Sequence, residues 1–522
     1  MKFKTLFLFI ILSAFVGCKE KELVINLYEG ENIWGGRVAD GASMPYKDGF
    51  SASLFHNKSN QATPLLLTDK GRYIWSENPY DFKIKQGKLI ISNNSSEIII
   101  GENGKTLKSA YSKAASLFFP ADGKMPPREF FEAPQYNTWI ELMYNQNQDD
   151  IIEYAENIIA NNLPAGIIMI DDTWQNDYGK WYFDASKFYD PKAMVDKLHN
   201  LGFKVMLWIC PFVSMDQYLI CNEIESFNGF LRVDDKNPYP VRWWNGTSAV
   251  LDLSNPKSVE WFDKQLSRLM NDYGIDGFKF DAGDFNYYPD DAISYSGNIS
   301  AAEQCSLFVQ LAEKYEYNEL RAGWKNAGKA IIQRLHDKEH SWGDLSKLIP
   351  EMLAENIMGY SFSCPDMVGG GSFATFLEGK IDQDLVVRSA QCHALMPMMQ
   401  FSLAPWRVLD KFHYDAVLAA VKTREKMQPT INGLIERAAK TGEPIISPLE
   451  YAFPNCGYAD ITDQFMLGES IMVAPMLTAG SKRSIVVPSG DWLSDAGETI
   501  TGGVKIEINV PLERLPYFIK IK

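Results

Sequence analysis

The sequence predicts an α/β chain, a (β/α)₈ TIM barrel flanked by an N-terminal β-sandwich and a C-terminal β-domain. Three observations carry this. From about Tyr136 onward, short apolar runs alternate with amphipathic helical patterns, the texture of a parallel sheet. Several of those runs end in charged or aromatic residues, as barrel strands do at their catalytic face. And 522 residues with 46% hydrophobic content are too many for one small domain but enough for a large barrel with accessory modules.

The chain opens on a targeting pattern over residues 1–18. Lys2 and Lys4 form a basic start, and 5–17 is an apolar run shorter than the ~20 residues of a membrane span. It ends in Phe15-Val16-Gly17-Cys18, similar to a bacterial lipoprotein cleavage box with Cys18 as the lipidated residue. Phe15 stands where Leu is usual, and an ordinary secretory signal is the alternative. The expected location is the bacterial cell envelope, lipid-anchored, periplasmic or surface-exposed.

Residues 22–125 show short alternating runs broken by Gly, Asn and Ser, which read as the N-terminal sandwich. Pro120, Pro126 and Pro127 mark a linker. The barrel is placed at 130–434. Strands are expected at 138–142, 166–170, 204–209 and 275–281, with helices at 149–161, 191–200, 256–271 and 301–315. Apolar stretches near 331–332, 358–362 and 394–399 continue the alternation, and roughly eight βα units fit. Short β runs return over 435–522.

Composition excludes several classes. A net charge of −15 and a pI near 5.0 argue against nucleic acid, which is held by basic surfaces. Apart from Cys18, the six cysteines are scattered without CxxC pairs, and the six His show no HExxH, so no metal or other cofactor is expected. Gly323, Gly328 and Lys329 mimic a phosphate loop, but Ala330 replaces its Ser/Thr. GxSxG is absent. The 13 Trp and 24 Tyr include material for sugar-stacking walls, although most serve the core.

The chemical signal is concentrated at strand ends. Asp276-Gly277-Phe278-Lys279-Phe280-Asp281 reads as a buried strand presenting Asp281, which Lys279 helps keep ionised as a nucleophile. Asp171/Asp172, Trp208, Arg334 and Asp366 close other strand-like runs. Glycoside hydrolysis needs a second, protonated carboxyl. The chosen acid/base is Asp344, in His340-Ser341-Trp342-Gly343-Asp344, where an aromatic neighbour raises an Asp pKa. Trp139, Trp208 and Trp244 are candidate sugar walls, and Lys279, Arg334 and one of Asp171 and Asp172 candidate hydroxyl ligands.

These residues carry a resemblance. The chain resembles glycoside hydrolase family 31 through Asp171-Asp172-Thr173-Trp174, Leu207-Trp208, Lys279-Phe280-Asp281, Trp342-Gly343-Asp344 and Pro365-Asp366-Met367-Val368-Gly369-Gly370. Within the family, Lys279 to Asp284 and Met396 to Trp406 are similar to the branch of the myogenesis-regulating glycosidase and bacterial α-galactosidases. The resemblance implies a retaining double displacement, Asp281 as nucleophile, Asp344 as acid/base and Asp366 as a sugar-hydroxyl ligand. Gln400 and Ser402 stand where family α-glucosidases carry a sugar-binding Arg and His, which favours galactose. The expected activity is an exo-acting α-galactosidase on α-linked oligosaccharides. The alternatives are an α-glucosidase or α-xylosidase of the same family, or a carbohydrate-binding lipoprotein without catalysis.

Overall fold

A computed structural model describes residues 22–289, 291–377 and 379–521. The signal-like segment and Cys18 lie outside the described residues. Eight parallel strands form the central sheet: β1 (Gln135–Asn137), β2 (Ile167–Ile170), β3 (Lys204–Ile209), β4 (Gly277–Phe280), β5 (Tyr317–Leu320), β6 (Ile332–Arg334), β7 (Ser363–Cys364) and β8 (Gln400–Phe401). They run in chain order from β1 to β7, and β8 pairs with β1 through Gln400 opposite Gln135. A parallel bridge between Met367 and Gln400, reinforced by the Val368 N–H on the Gln400 carbonyl at 2.7 Å, joins β7 to β8 and closes the barrel.

Helices α1 (Gln148–Ala160), α2 (Pro191–Asn200), α3 (Pro256–Tyr273), α4 (Ala301–Ala312), α5 (Trp342–Ile357), α6 (Gln383–Ala394) and α7 (Lys411–Thr441) surround it. Their starts follow the capping chemistry of the sequence. Asn147, Asp190, Asn255 and Ser300 each accept a backbone N–H of the following turn, with Pro191 and Pro256 in first turns where a missing N–H costs nothing. No helix stands between β5 and β6 among the described residues. There Gly323–Trp324 pairs in parallel with Gln61–Ala62 of the N-terminal module instead.

That module contains two mostly antiparallel sheets. One joins Leu23–Asn26, Lys88–Ser92, Asp81–Lys85 and Ser51–Ser53; the other is built on Ile33–Arg37, Gln61–Thr68, Arg72–Trp75 and Ile99–Glu102. One apolar core runs from it into the barrel, while a smaller cluster around Met466, Trp492 and Phe518 fills the C-terminal β unit.

Two local expectations fail. The first barrel strand is Gln135–Asn137, and Trp139–Leu142 is a short helix. The Asn137 carboxamide accepts the Trp139 N–H at 2.8 Å and turns the chain out of the sheet. Residues 107–118, read as part of a β region, form a helix that Thr106 starts with a capping box, burying Leu107, Ala110, Tyr111 and Ala114. Its 3.6-residue period was overridden by the surrounding strand texture. Among the described residues, no helix is long and apolar enough to cross a membrane.

Candidate active site

A cavity of about 230 Å³ opens at the C-terminal ends of the barrel strands. Its lining includes Trp139, Asp171, Asp172, Trp208, Trp244, Lys279 and Asp281, all candidates from the sequence. It also includes Tyr144, Arg321, Asp337, Ser372, Phe373 and Ala374, which the sequence reading leaves out. Arg334, Asp366 and Asp344 are not among the lining residues.

Asp281 follows β4 directly, and its N–H donates to the Ile209 carbonyl of β3 at 2.9 Å. Ala282 and Gly283 then take positive φ, so the chain leaves the strand at once and the carboxylate stays at the rim. The Trp208 indole N–H donates to Asp281 Oδ2 at 2.8 Å, and Arg321 Nε lies 3.1 Å from Oδ1. Burial alone would raise the Asp281 pKa. Arg321, Lys279 and Arg334 outweigh it, and with the indole bond they hold the carboxyl well below the usual range. Asp281 is therefore an ionised, nearly desolvated carboxylate in a cavity.

Lys279 points from β4 to Asp171 Oδ2 at 2.6 Å, a pair buried on both sides. The second oxygen of Asp171 accepts the Asp172 N–H at 2.8 Å. Asp172 accepts from the Thr173 N–H at 2.7 Å, from Asn245 Nδ2 at 2.9 Å and from the Tyr178 hydroxyl at 3.1 Å. Burial nevertheless pushes it up to about 6, because several neutral donors do not replace a cation. Trp139, Tyr144 and Phe373 meet edge to face with centroids 5.3–5.8 Å apart, an aromatic collar on one side of the cavity. Trp244 is half-exposed, with the Arg321 guanidinium 5.6 Å from its ring.

The second carboxyl differs from expectation. Asp344 lies in the first turn of α5, where Ser341 Oγ accepts its N–H at 3.1 Å. Its own oxygens take Lys347 Nζ at 2.7 Å and the Glu339 N–H at 2.8 Å. It is a helix-start residue, bonded to Lys347 and the Glu339 N–H and absent from the cavity lining, so the structure does not bring the expected acid/base to Asp281. Of the acids between β6 and α5, Asp337, three residues past β6, lines the cavity. A signal existed: Ser341, three residues before Asp344, is an N-cap residue by type, and its Oγ accepts the Asp344 N–H.

Arg334 and Asp366 stand behind Asp337 and are fully buried. Arg334 Nη1 bridges Asp337 Oδ1 at 2.8 Å and Asp366 Oδ1 at 2.6 Å, and Asp366 Oδ2 accepts the Lys338 N–H at 2.7 Å. Asp366, expected to bind a sugar hydroxyl, instead anchors the arginine and loop that carry Asp337. Burial pushes Asp366 up to about 7 against the pull of Arg334. Burial also opposes charge on Asp337, but Arg334, Arg321 and Lys279 outweigh it and hold Asp337 low. Arg334 Nε also lies 3.4 Å from Glu319, so one guanidinium faces three carboxyls, Asp337, Asp366 and Glu319. Among the described residues, no group of three or more His, Cys, Asp and Glu is placed to hold a metal ion.

Comparison with known proteins agrees with this architecture. Residues 124–434 match the glycosyl hydrolases family 31 TIM-barrel domain, and 442–521 match that family's C-terminal domain. The chain is 31% identical over 434 residues to the myogenesis-regulating glycosidase of Mus musculus, covering 80% of this chain and 60% of that protein. It is 24% identical to alpha-glucosidase 2 of Bacillus thermoamyloliquefaciens, over 72% of this chain and 51% of that one. The chain thus spans between half and two thirds of these relatives. A dextranase from Flavobacterium johnsoniae, solved with glucose, superposes with a TM-score of 0.85 at 17% identity, covering 96% of this chain and 66% of that one. A soil-metagenome alpha-xylosidase solved with xylose gives 0.81 at 20%, over 96% and 79%. The two structural likenesses speak to the fold.

Proposed function

Because the chain belongs to glycoside hydrolase family 31, we propose that it is a retaining, exo-acting α-glycosidase with Asp281 as nucleophile and Asp337 as acid/base. One observation carries the reading: an ionised carboxylate held by Arg321 and Trp208 shares a small cavity with a second carboxyl, Asp337, which Arg334 ties to the buried Asp366. In the first step Asp281 attacks the anomeric carbon while Asp337, which must first take up a proton against the pull of Arg334, Arg321 and Lys279, gives that proton to the departing glycosidic oxygen. In the second, Asp337 takes a proton from water, whose oxygen displaces Asp281 and restores the starting configuration. This requires the two carboxyls to approach within about 5–5.5 Å in the working complex. Lys279 and Asp171 offer a donor and an acceptor to sugar hydroxyls beside Asp281, with Trp139 and Trp244 as walls. A cavity of about 230 Å³ accommodates roughly one sugar ring, which supports exo action.

The finer reading is α-galactosidase. Its support is the Lys279–Asp284 sequence and the replacement of charged sugar ligands by Gln400 and Ser402. Both are buried: Gln400 Nε2 donates to Gln135 Oε1 at 2.5 Å and Glu319 Oε2 at 3.0 Å, and Ser402 Oγ accepts the Ile140 N–H at 2.6 Å. Neither supplies a cationic donor to a glucose ring. The alternative, α-glucosidase or α-xylosidase, draws on the names of the relatives. A panel of nitrophenyl α-galactoside, α-glucoside, α-xyloside and β-galactoside separates these, with Asp281→Ala as control. Release from the α-galactoside alone supports the finer reading, and release from the α-glucoside or α-xyloside alone replaces it. Sugar binding with no wild-type turnover on any substrate, including longer α-linked oligosaccharides, returns the protein to the binding-lipoprotein reading. A lipid anchor at Cys18 belongs to the same proposal, and metabolic labelling with a fatty acid, lost in Cys18→Ser, tests it.

A further inference from the structure

Among the described residues the barrel lacks a helix between β5 and β6, and the N-terminal module fills that place with three buried amide side chains, Asn57 and Asn60 from a loop and Gln61 from the start of the strand that follows it. Gln61 Nε2 lies 2.7 Å from the Arg321 carbonyl, 3.1 Å from the Arg334 carbonyl and 2.9 Å from Gln333 Oε1. Two of these partners are backbone carbonyls, which only accept, so the orientation of the Gln61 amide follows from its surroundings. Its two N–H groups thus span the ends of the two strands whose arginines face the reacting carboxyls.

Asn60 grips the next turn. Its Oδ1 accepts the His336 N–H at 2.8 Å, and its Nδ2 contacts His336 Nδ1. Nδ2 can only donate, so His336 Nδ1 accepts and the ring proton stands on Nε2. Burial lowers the His336 pKa to about 3, and the ring stays neutral over the working range. His336 is the residue before Asp337. Asn57 completes the set, its Oδ1 facing the Phe285 N–H beside Asp284, whose carboxylate receives Arg321 Nη2 at 2.7 Å.

We infer that Gln61 and Asn60 are positioning residues of the active site: the N-terminal module, through these two amides, fixes where the β5 and β6 ends hold Arg321, Arg334 and Asp337. The inference rests on the glycosidase reading above. Each arginine acts on its carboxyl across about 3 Å, where Coulomb energy changes steeply with distance. A clamp on the arginine backbones therefore sets both protonation states, a role distinct from general stability. Two strand ends left without a crossover helix need an outside brace to hold such distances.

The test uses the full chain and Gln61→Met, which keeps length and apolar bulk but removes both donors. The groups facing Asp281 are Arg321, Lys279, Arg334 and Trp208, and those facing Asp337 are Arg334, Arg321, Lys279 and Asp281. Loosening either arginine raises both carboxyl pKa values, so both limbs of the kcat/KM pH profile move to higher pH. We expect kcat to fall on the order of tenfold to a hundredfold with KM little changed. In ¹⁵N-arginine-labelled protein, the Arg321 and Arg334 Nε–H resonances, assigned with Arg321→Lys and Arg334→Lys, shift or broaden. A folded Gln61→Met with unmoved pH limbs and unmoved resonances overturns the inference, even where Tm falls. Should Gln61→Met not fold, Gln61→Asn, which withdraws the amide by one methylene, is read the same way. Should wild type turn over no glycoside, the glycosidase reading fails by itself, and the arginine resonances alone decide whether the amides position the loops.

Discussion

Asp337→Ala set beside Asp344→Ala separates the two candidate acids. General acid–base catalysis contributes about 10²–10⁴ in rate, or roughly 2.7–5.4 kcal/mol at about 1.36 kcal/mol per tenfold. Asp337→Ala should lose that much against a glycoside with a poor leaving group, and far less against a dinitrophenyl glycoside, whose phenolate departs without a proton. The fold should survive, because Arg334 keeps Asp366 at 2.6 Å and Glu319 at 3.4 Å after Asp337 is removed. Asp344→Ala loses an acceptor for one backbone N–H and a pair with Lys347, which is 52% exposed. In solvent that is worth about 0.5–1 kcal/mol of stability, with kcat/KM unchanged. Both variants are compared by initial rates on the two leaving groups and by thermal melting. Loss of turnover in Asp344→Ala, with Asp337→Ala within twofold of wild type on the poor leaving group, would falsify the assignment.

Other outcomes follow from the same geometry. Asp281→Ala should abolish turnover on every substrate while retaining sugar binding by calorimetry; residual turnover above about 1% of wild type rejects it as the nucleophile. Arg321→Met leaves Asp284 buried without its cation and should lower stability by about 3–5 kcal/mol in denaturant titration. It should also move the acid limb of kcat/KM upward, because Asp281 loses the cation that lowers its pKa most. As acid, Asp337 acts in its protonated form while Arg334, Arg321 and Lys279 hold its carboxyl low, so kcat/KM should decline as pH rises through its titration. A decline of kcat/KM at high pH that Asp337→Asn leaves in place contradicts the acid role of Asp337. Phe373→Ala opens the aromatic collar and should raise KM several-fold at unchanged kcat for substrates longer than a disaccharide. A change in kcat alone would remove the collar from substrate binding.

The sequence by itself determined the alternation of strands and helices, because apolar periodicity and capping residues such as Asp190-Pro191 and Asn255-Pro256 act locally. It determined that Asp281 closes a buried strand, since an apolar run ending in acid has few other uses in a barrel. It also marked Trp139, Asp171, Asp172, Trp208, Trp244 and Lys279, each on or just beyond a strand end. Which acid after β6 faces the cavity was left to the tertiary structure. Asp337 and Asp344 are seven residues apart, and their directions depend on where α5 begins. Arg321 was invisible for a related reason: its partners Asp281 and Asp284 lie some forty residues away, and pairing across strands leaves no local pattern. Asp366 is a sugar-hydroxyl ligand only by the family resemblance of Pro365 to Gly370, and what the structure adds is its burial against Arg334. The brace from Asn60 and Gln61 could be read only in three dimensions. More than 250 residues separate those amides from the carbonyls and ring they hold, and chain closure over that distance is fixed by the whole core, not by neighbours in sequence.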